Sequence, residues 1–132
     1  MNTTAATLVA GATSRVRMLS PGEFAEQSDR PNTVVIDVRE AEERVRQGSI
    51  RNAVHIPRGL LEFRADVTSM EFDERLRPDR QLLLYCHDGG RSALAAETLI
   101  TLGYADVAHL HGGIRAWSDA SLPLYGRLVD PY

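Results

Sequence analysis

Two short apolar runs place the strongest limits on how this chain can fold. Residues 33–38 read TVVIDV and residues 81–86 read QLLLYC, and neither run alternates apolar with polar side chains. Strands that are apolar on both faces are typical of parallel sheets covered on both sides. The run at 81–86 is the most apolar, so we expect it at the centre of the sheet. Three further strands are predicted in RVRML (15–19), AVHIP (53–57) and DVAHL (106–110).

Helix-like segments separate these runs. Ser20, Pro21 and Glu23 form a capping signal for a helix that continues to about Gln27. The clearest helix is SALAAETLITLG (92–103), and shorter helical or irregular segments are predicted at 39–48, 59–67, 71–76 and 112–120. Strands that alternate with helices predict an α/β domain with a central, mostly parallel five-stranded sheet and helices on both faces.

Composition and the chain ends narrow the class of protein. Residues 1–14 are rich in alanine and threonine without clear periodicity, so we predict a flexible N-terminal tail followed by one domain over residues 15–132. A net charge of −3 argues against nucleic-acid binding, and no apolar run approaches the ~20 residues of a membrane span. The start of the chain lacks signal-peptide features. A single cysteine cannot form an internal disulfide, which favours a reducing, cytoplasmic location.

That cysteine, Cys86, ends the most apolar strand. It is followed by His87, Asp88, Gly89 and Gly90, and then by Arg91 and Ser92, where a helix begins. In open α/β sheets, ligands bind at the carboxyl ends of the strands. The two glycines can adopt positive φ and turn amides inward, and the helix directs its positive end at the loop. Such donors favour a thiolate, and Arg91 is suited to an oxyanion. The alternative is a buried apolar cysteine, but the combination favours a working thiol.

Five segments resemble the rhodanese-homology domain of single-domain sulfurtransferases. They are VVIDVRE (34–40), GSIRNAVHIPRG (48–59), YCHDGGRS (85–92), AAETLITLGY (95–104) and LHGGIRAW (110–117). The resemblance implies that Cys86 takes a sulfane sulfur as a persulfide within a cradle formed by the amides of residues 87–92. Thiosulfate, 3-mercaptopyruvate, a polysulfide or a persulfide could be the donor. Asp88 places a negative charge beside the entrance to this cradle, which is unfavourable for a dianion such as thiosulfate and so weakens the inference to thiosulfate in particular. A thiol, cyanide or a protein could be the acceptor. The resemblance implies no metal and no organic cofactor, and it leaves the oligomeric state open.

The resemblance also identifies candidate supporting residues. Asp37 and Arg39 match the D-V-R element, and we expect the Asp37 carboxylate to hold loop amides or Arg91, or to cap the next helix. Arg58 either steers anionic donors towards the mouth or is solvated. We expect His55 to form a core hydrogen bond, and the charged run EAEER (40–44) to be a solvated helix face.

A metal site and two other functions are the alternatives to this interpretation. His109 and His111 lie near a strand end, but they lack further ligands at a recognisable spacing and do not predict a zinc site. Cysteine phosphatases of the same fold place five residues between cysteine and arginine, whereas this chain has four. The shorter ring is tight for phosphate, so a phosphatase or arsenate reductase ranks second. A non-catalytic module that binds a partner through the same loop is the third hypothesis.

Overall fold

The computed structural model describes residues 2–127 and contains a five-stranded sheet. Its strands are β1 (Arg17–Leu19), β2 (Thr33–Asp37), β3 (Val54–His55), β4 (Gln81–Tyr85) and β5 (Val107–Leu110). They lie in the order β1-β5-β4-β2-β3, and every neighbouring pair is parallel. The most apolar run is the central strand β4. The prediction of an α/β fold with a largely parallel five-stranded sheet is therefore confirmed.

Helices cover both faces of the sheet. They are α1 (Ala5–Arg15), α2 (Pro21–Ser28), α3 (Ala41–Gln47), α4 (Leu61–Ala65), α5 (Gly90–Thr101) and α6 (Gly113–Asp119), with 3₁₀ turns at Arg58–Leu60 and Glu74–Leu76. Buried side chains of α1, α4 and α5 join one hydrophobic cluster, and those of α2 and α6 join another on the opposite face. No helix within residues 2–127 combines the length and apolar character needed to cross a bilayer.

The capping signal at α2 is formed as predicted. Ser20 Oγ accepts from the amide of Glu23 at 3.2 Å, and the Glu23 carboxylate accepts from the amide of Ser20 at 2.9 Å. Phe24, in the first turns of this helix, is fully buried and packs edge-on against the rings of Tyr85 and Trp117. The cap therefore starts the helix at the point that lets Phe24 enter the hydrophobic core beside Tyr85 of β4.

The N-terminal segment differs from the prediction. Residues 5–15 form α1, although the sequence predicted a flexible tail over 1–14. The Thr4 side chain accepts a hydrogen bond from the amide of Thr7 at 3.1 Å and caps the helix. Ala12 is fully buried, and the helix packs against α5. Arg15 also forms an ion pair with Glu97 of α5. Residue 1 and residues 128–132, which include the predicted end of the domain, lie outside the described residues.

Candidate active site

Cys86 directly follows β4, and its sulfur is surrounded by donors from the start of α5. Cys86 Sγ accepts from the amide of Gly89 at 3.1 Å and from the amide of Ser92 at 3.3 Å, and it lies 3.5 Å from Ser92 Oγ. Cys86 is fully buried. The first N–H groups of a helix have no partner within the helix and carry partial positive charge. The arrangement therefore stabilises negative charge on the sulfur, as a thiol that acts as a nucleophile requires.

The two loop glycines have different roles. Gly89 has a φ of 109°, in the left-handed region that favours glycine, and it is the N-cap of α5. Gly90 is already the first helical residue, and its amide donates to Oδ1 of Asp88 at 3.3 Å. The prediction that both glycines turn their amides towards the sulfur is therefore correct for Gly89 and wrong for Gly90. Asp88 is exposed and His87 is half-buried.

Helix α6 holds the loop in place through backbone hydrogen bonds. The amide of Ile114 donates to the Cys86 carbonyl at 2.8 Å, and that of Arg115 donates to the His87 carbonyl at 3.1 Å. Gly113 has a φ of 63°, and a Cβ atom there would lie only 2.3 Å from the His87 carbonyl oxygen. The sequence predicted α6 but not this contact. The available signal was the glycine pair at the turn after β5, the strand that lies beside β4.

A buried histidine lies behind Ser92. Nδ1 of His109 is 3.0 Å from Ser92 Oγ, so Cys86, Ser92 and His109 form a continuous hydrogen-bonded chain. His109 is only 2% exposed, and its Nε2 has no partner within residues 2–127. Burial, with a smaller contribution from the charge of His111, lowers the pKa of His109 to about 4. The imidazole is therefore neutral at neutral pH and acts as a hydrogen-bonding partner rather than as a cation.

The sequence raises His109 and His111 only as a pair of metal ligands and does not predict the contact of His109 with Ser92. His111 is exposed, whereas His109 points into the site. In the described part of the chain, no group of three or more histidine, cysteine, aspartate and glutamate side chains is arranged to hold a metal ion. A histidine inside the otherwise apolar strand VAHL, beside the strand that delivers the cysteine, was the signal for its structural role.

Arg91 fastens the loop to α3. Its two terminal guanidinium nitrogens donate to the two carboxylate oxygens of Glu43 at 2.8 and 2.7 Å. The hydrogen bonds from Arg91 lower the pKa of Glu43 to about 2, although partial burial opposes this, and the pKa of Arg91 is raised in turn. Arg91 therefore anchors the loop to α3. Its role in holding a substrate anion stays a prediction, because both of these nitrogens are engaged in this structure.

Asp37 organises a buried network beside the loop. Its carboxylate accepts from the backbone and guanidinium of Arg39 at 2.9–3.0 Å, from Arg44 Nε at 3.1 Å and from the Tyr85 hydroxyl at 2.7 Å. Asp37 and Arg39 are both fully buried. Although burial opposes it, the Asp37 carboxylate raises the pKa of Arg39 above its usual value. Burial, reinforced by the same carboxylate, raises the pKa of Tyr85.

This network corrects two predictions. Asp37 contacts neither the loop amides nor Arg91, and another residue is the N-cap of α3. The EAEER run is not simply a solvated face, because Glu43 binds Arg91 and Arg44 reaches Asp37. Both differences arise because charged side chains of α3 reach Asp37 at the end of β2 and Arg91 after β4, which are distant in sequence.

Arg58 and His55 form hydrogen bonds with residues other than those of the loop after β4. Arg58 donates to Glu62 at 2.9 Å and to Thr98 Oγ1 at 3.0 Å, and it has no hydrogen bond to the loop within residues 2–127. These two hydrogen bonds hold Arg58 against α4 and α5, and its role in steering anionic donors stays a prediction. His55 Nε2 lies 2.7 Å from the Arg39 carbonyl, which confirms the predicted hydrogen bond.

Comparison with known proteins identifies the family. Residues 20–120 match the model of the rhodanese-like domain. This chain belongs to that family. The rhodanese-like domain is 32% identical over 97 residues to a sulfurtransferase of Allochromatium vinosum, covering 74% of this chain and 82% of that protein. It is 36% identical over 102 residues to thiosulfate sulfurtransferase 18 of Arabidopsis thaliana, covering 73% and 74% of the two chains. The resemblance noted in the sequence is thus confirmed.

Solved structures give the same fold with two kinds of description. A protein of unknown function from Rhodopseudomonas palustris, described as a possible tyrosine phosphatase, superposes with a TM-score of 0.88 at 32% identity, covering 94% of this chain and 96% of that chain. The polysulfide-sulfur transferase homodimer of Wolinella succinogenes superposes with a TM-score of 0.74 at 27% identity, covering 94% and 88%. The rhodanese-like domain therefore shares its fold with proteins described by both sulfur and phosphate chemistry.

Proposed function

We propose that this rhodanese-like domain is a sulfurtransferase that carries a sulfane sulfur as a persulfide on Cys86. The observation that supports it best is the donor set around Cys86 Sγ, in which the amides of Gly89 and Ser92 point at the sulfur from 3.1 and 3.3 Å. These donors stabilise a single negative charge at a nucleophilic sulfur. The sulfurtransferase names of the Allochromatium and Arabidopsis relatives agree with this chemistry.

Sulfur transfer proceeds in two displacement steps. The Cys86 thiolate attacks the outer sulfur of the donor, the donor's sulfur bond breaks, and its electron pair leaves with the departing group, which is sulfite if the donor is thiosulfate. The outer sulfur of the resulting persulfide is then attacked by a thiolate or cyanide, and the Cys86 thiolate is restored. The loop amides can hold the negative charge in every state. Because Cys86 is fully buried, side chains at the mouth must move to admit the donor.

The identity of the donor depends on charges at the mouth. Asp88 is exposed beside the cradle, and Arg91 is neutralised by Glu43. Both features weaken the attraction for a dianion such as thiosulfate or inorganic polysulfide, so 3-mercaptopyruvate, which carries one negative charge, or a protein persulfide is the better supported donor. The acceptor is proposed to be a thiol, cyanide or a protein sulfur carrier.

Intact-protein mass spectrometry tests the proposal. The reduced protein is incubated with thiosulfate, 3-mercaptopyruvate, polysulfide or glutathione persulfide, and one added sulfur of about 32 Da is expected at Cys86 with at least one donor. The adduct should disappear on adding cyanide or a thiol. Cys86→Ser is nearly isosteric and should fold normally without gaining sulfur. If no donor loads the wild-type protein, the sulfurtransferase proposal is wrong.

A phosphatase is the second candidate because of the description of the Rhodopseudomonas structure. Three features argue against it here. Four residues rather than five separate Cys86 from Arg91, both terminal nitrogens of Arg91 bind Glu43, and the Gly90 amide binds Asp88. The same protein preparation is assayed with p-nitrophenyl phosphate and with arsenate. Turnover that requires Cys86, without any sulfur adduct, would favour this second function.

A further inference from the structure

A positively charged pocket adjoins the loop that follows β4 and carries Cys86, which we call the catalytic loop. This cavity of about 240 Å³ lies between the end of α3, helix α6 and the C-terminal segment of the described chain. We propose that it binds the carboxylate end of a small thiol, or of that thiol's persulfide, during sulfur transfer. The inference rests on the proposed function and names the class of molecule that exchanges sulfur with Cys86. We call it the arginine pocket, and its main walls are Arg46, His87, Ile114, Arg115, Leu124 and Arg127.

The pocket is positively charged, whereas the whole chain is negatively charged. The protein has a net charge of −3, yet three arginines line this cavity and none of its described lining residues is acidic. Arg46 forms an ion pair with Glu42. Arg115 and Arg127 have no carboxylate partner among residues 2–127. Two arginines without a carboxylate partner in the described residues line this one cavity and favour an anion there, and guanidinium is well matched to a carboxylate.

The wall that carries Arg127 is held in place by backbone contacts. Ser49 and Tyr125 exchange two backbone hydrogen bonds of 2.8 and 2.9 Å in an antiparallel bridge. Gly48 has a φ of 77°, and a Cβ atom there would lie 3.1 Å from Leu124 Cβ and 3.4 Å from Arg127 Cβ. The glycine therefore lets the C-terminal segment pass close to the end of α3. This contact positions the side of the pocket opposite α6.

The pocket shares a wall and two hydrogen bonds with the catalytic loop. His87 forms one wall, and its carbonyl and that of Cys86 accept hydrogen bonds from the amides of Arg115 and Ile114. A ligand held by Arg115 therefore contacts the helix on which the loop rests. Ile114 and Leu124 supply apolar surface for an aliphatic stem. Because the cavity is smaller than the ~300 Å³ or more of a typical complete ligand site, it suits one arm of a ligand whose thiol lies outside it.

Acceptor kinetics test the inference. Sulfur-loaded protein is reacted with glutathione and with glutathione diethyl ester, which has the same thiol but no free carboxylates. We expect Arg115→Gln and Arg127→Gln each to raise the KM for glutathione about two- to fivefold, as loss of a partly exposed ion pair implies, with kcat nearly unchanged. The KM for the ester should not change. Arg30→Gln is the matched control, because Arg30 pairs with Glu26 on α2 and does not line the pocket.

Added salt should raise the KM for glutathione in the wild-type protein and have a weaker effect in the two pocket variants, since exposed charges are screened. Equal changes in KM for glutathione and its ester, or no change for either, would overturn the inference.

A binding experiment separates this inference from the proposed function. S-methylglutathione cannot accept sulfur, so its binding to the Cys86→Ser protein is measured by calorimetry with and without Arg115→Gln. If binding depends on Arg115 while the wild-type protein never loads sulfur, the pocket is supported and the proposed function fails. If the wild-type protein transfers sulfur but S-methylglutathione binds equally well to both proteins, the pocket inference fails and the proposed function stands.

Discussion

Replacing Glu43 with glutamine measures how strongly α3 holds the catalytic loop. The Glu43 carboxylate accepts two hydrogen bonds from Arg91 and one from the amide of Glu40 at 2.8 Å, which forms a capping box at the start of α3. Glutamine also serves at this position of a capping box. The substitution therefore removes the negative charge opposite Arg91 while retaining an acceptor for the helix cap, and it isolates the ion pair.

The size of the change in the free energy of unfolding follows from the pKa of Glu43, which lies at about 2 instead of the ordinary 4.5. A difference of that size corresponds to at most about 3.4 kcal/mol of stabilisation. The side chains of Arg91 and Glu43 are 38% and 29% exposed, and solvent screening weakens such a pair. We therefore expect Glu43→Gln to lower the free energy of unfolding by about 1–2 kcal/mol at neutral pH, in the range of hydrogen bonds to charged groups.

The sign of the pH dependence is fixed by the direction of the pKa change. A carboxyl whose pKa is lower in the folded protein contributes fully above the unfolded pKa of about 4.5, and loses that contribution as the pH falls towards about 2. The difference between wild type and Glu43→Gln should thus be largest at about pH 7 and much smaller at about pH 3. Urea unfolding, followed by circular dichroism at each pH, measures it.

The matched control is Glu42→Gln on the same helix. Glu42 pairs with Arg46 at an exposed i,i+4 position, where the two side chains are 72% and 73% exposed. Such pairs contribute about 0.5 kcal/mol or less. A Glu43→Gln effect no larger than this control at neutral pH, or one that persists unchanged at low pH, would refute the assignment of a strong ion pair.

Three further substitutions test other parts of the site. Asp37→Asn should lower the free energy of unfolding by about 3–5 kcal/mol, because it leaves the buried guanidinium of Arg39 without its counter-charge; a loss below about 1 kcal/mol in urea unfolding would contradict this. Gly113→Ala should destabilise the protein and slow sulfur loading, since its φ of 63° and its contact with the loop backbone exclude a Cβ, whereas Gly22→Ala, with open space around it, should do neither. Asp88→Asn retains the acceptor for its neighbour's amide but removes the charge, and should lower the KM for thiosulfate; an unchanged KM would show that the carboxylate does not affect the mouth.

The strands of this fold can be predicted because burial on both faces removes polar residues from them. β2 and β4 appear as continuous apolar runs, and the position of β4 at the centre follows from the same property. α1 could not be predicted in this way. Its side chains are small, only Ala12 is buried, and the helix depends on packing against α5, far along the chain. Helices that rely on such tertiary contacts carry little local signal.

The local parts of the site were predictable, and the charge pairing was not. Cys86 at a strand end and Gly89 at a turn are consequences of a few adjacent residues. The partners of Arg91 and Asp37 depend on where the fold places the charged side chains of α3, and several arginines and carboxylates could have paired with them. The contact of His109 with Ser92 was not predicted for a similar reason, since it depends on β5 lying beside β4 in the sheet.

The pairing of Arg91 bears directly on the choice between sulfur and phosphate chemistry. A phosphoryl group carries its charge on three oxygens and needs many donors at once. Here Glu43 binds both terminal nitrogens of Arg91, Asp88 binds the Gly90 amide, and two other loop amides already point at the sulfur. The two amides that point at the sulfur are arranged for one negative charge on one atom. A thiolate and a persulfide each present that charge, so the electrostatics of the loop support the proposed sulfur transfer independently of the length of the loop.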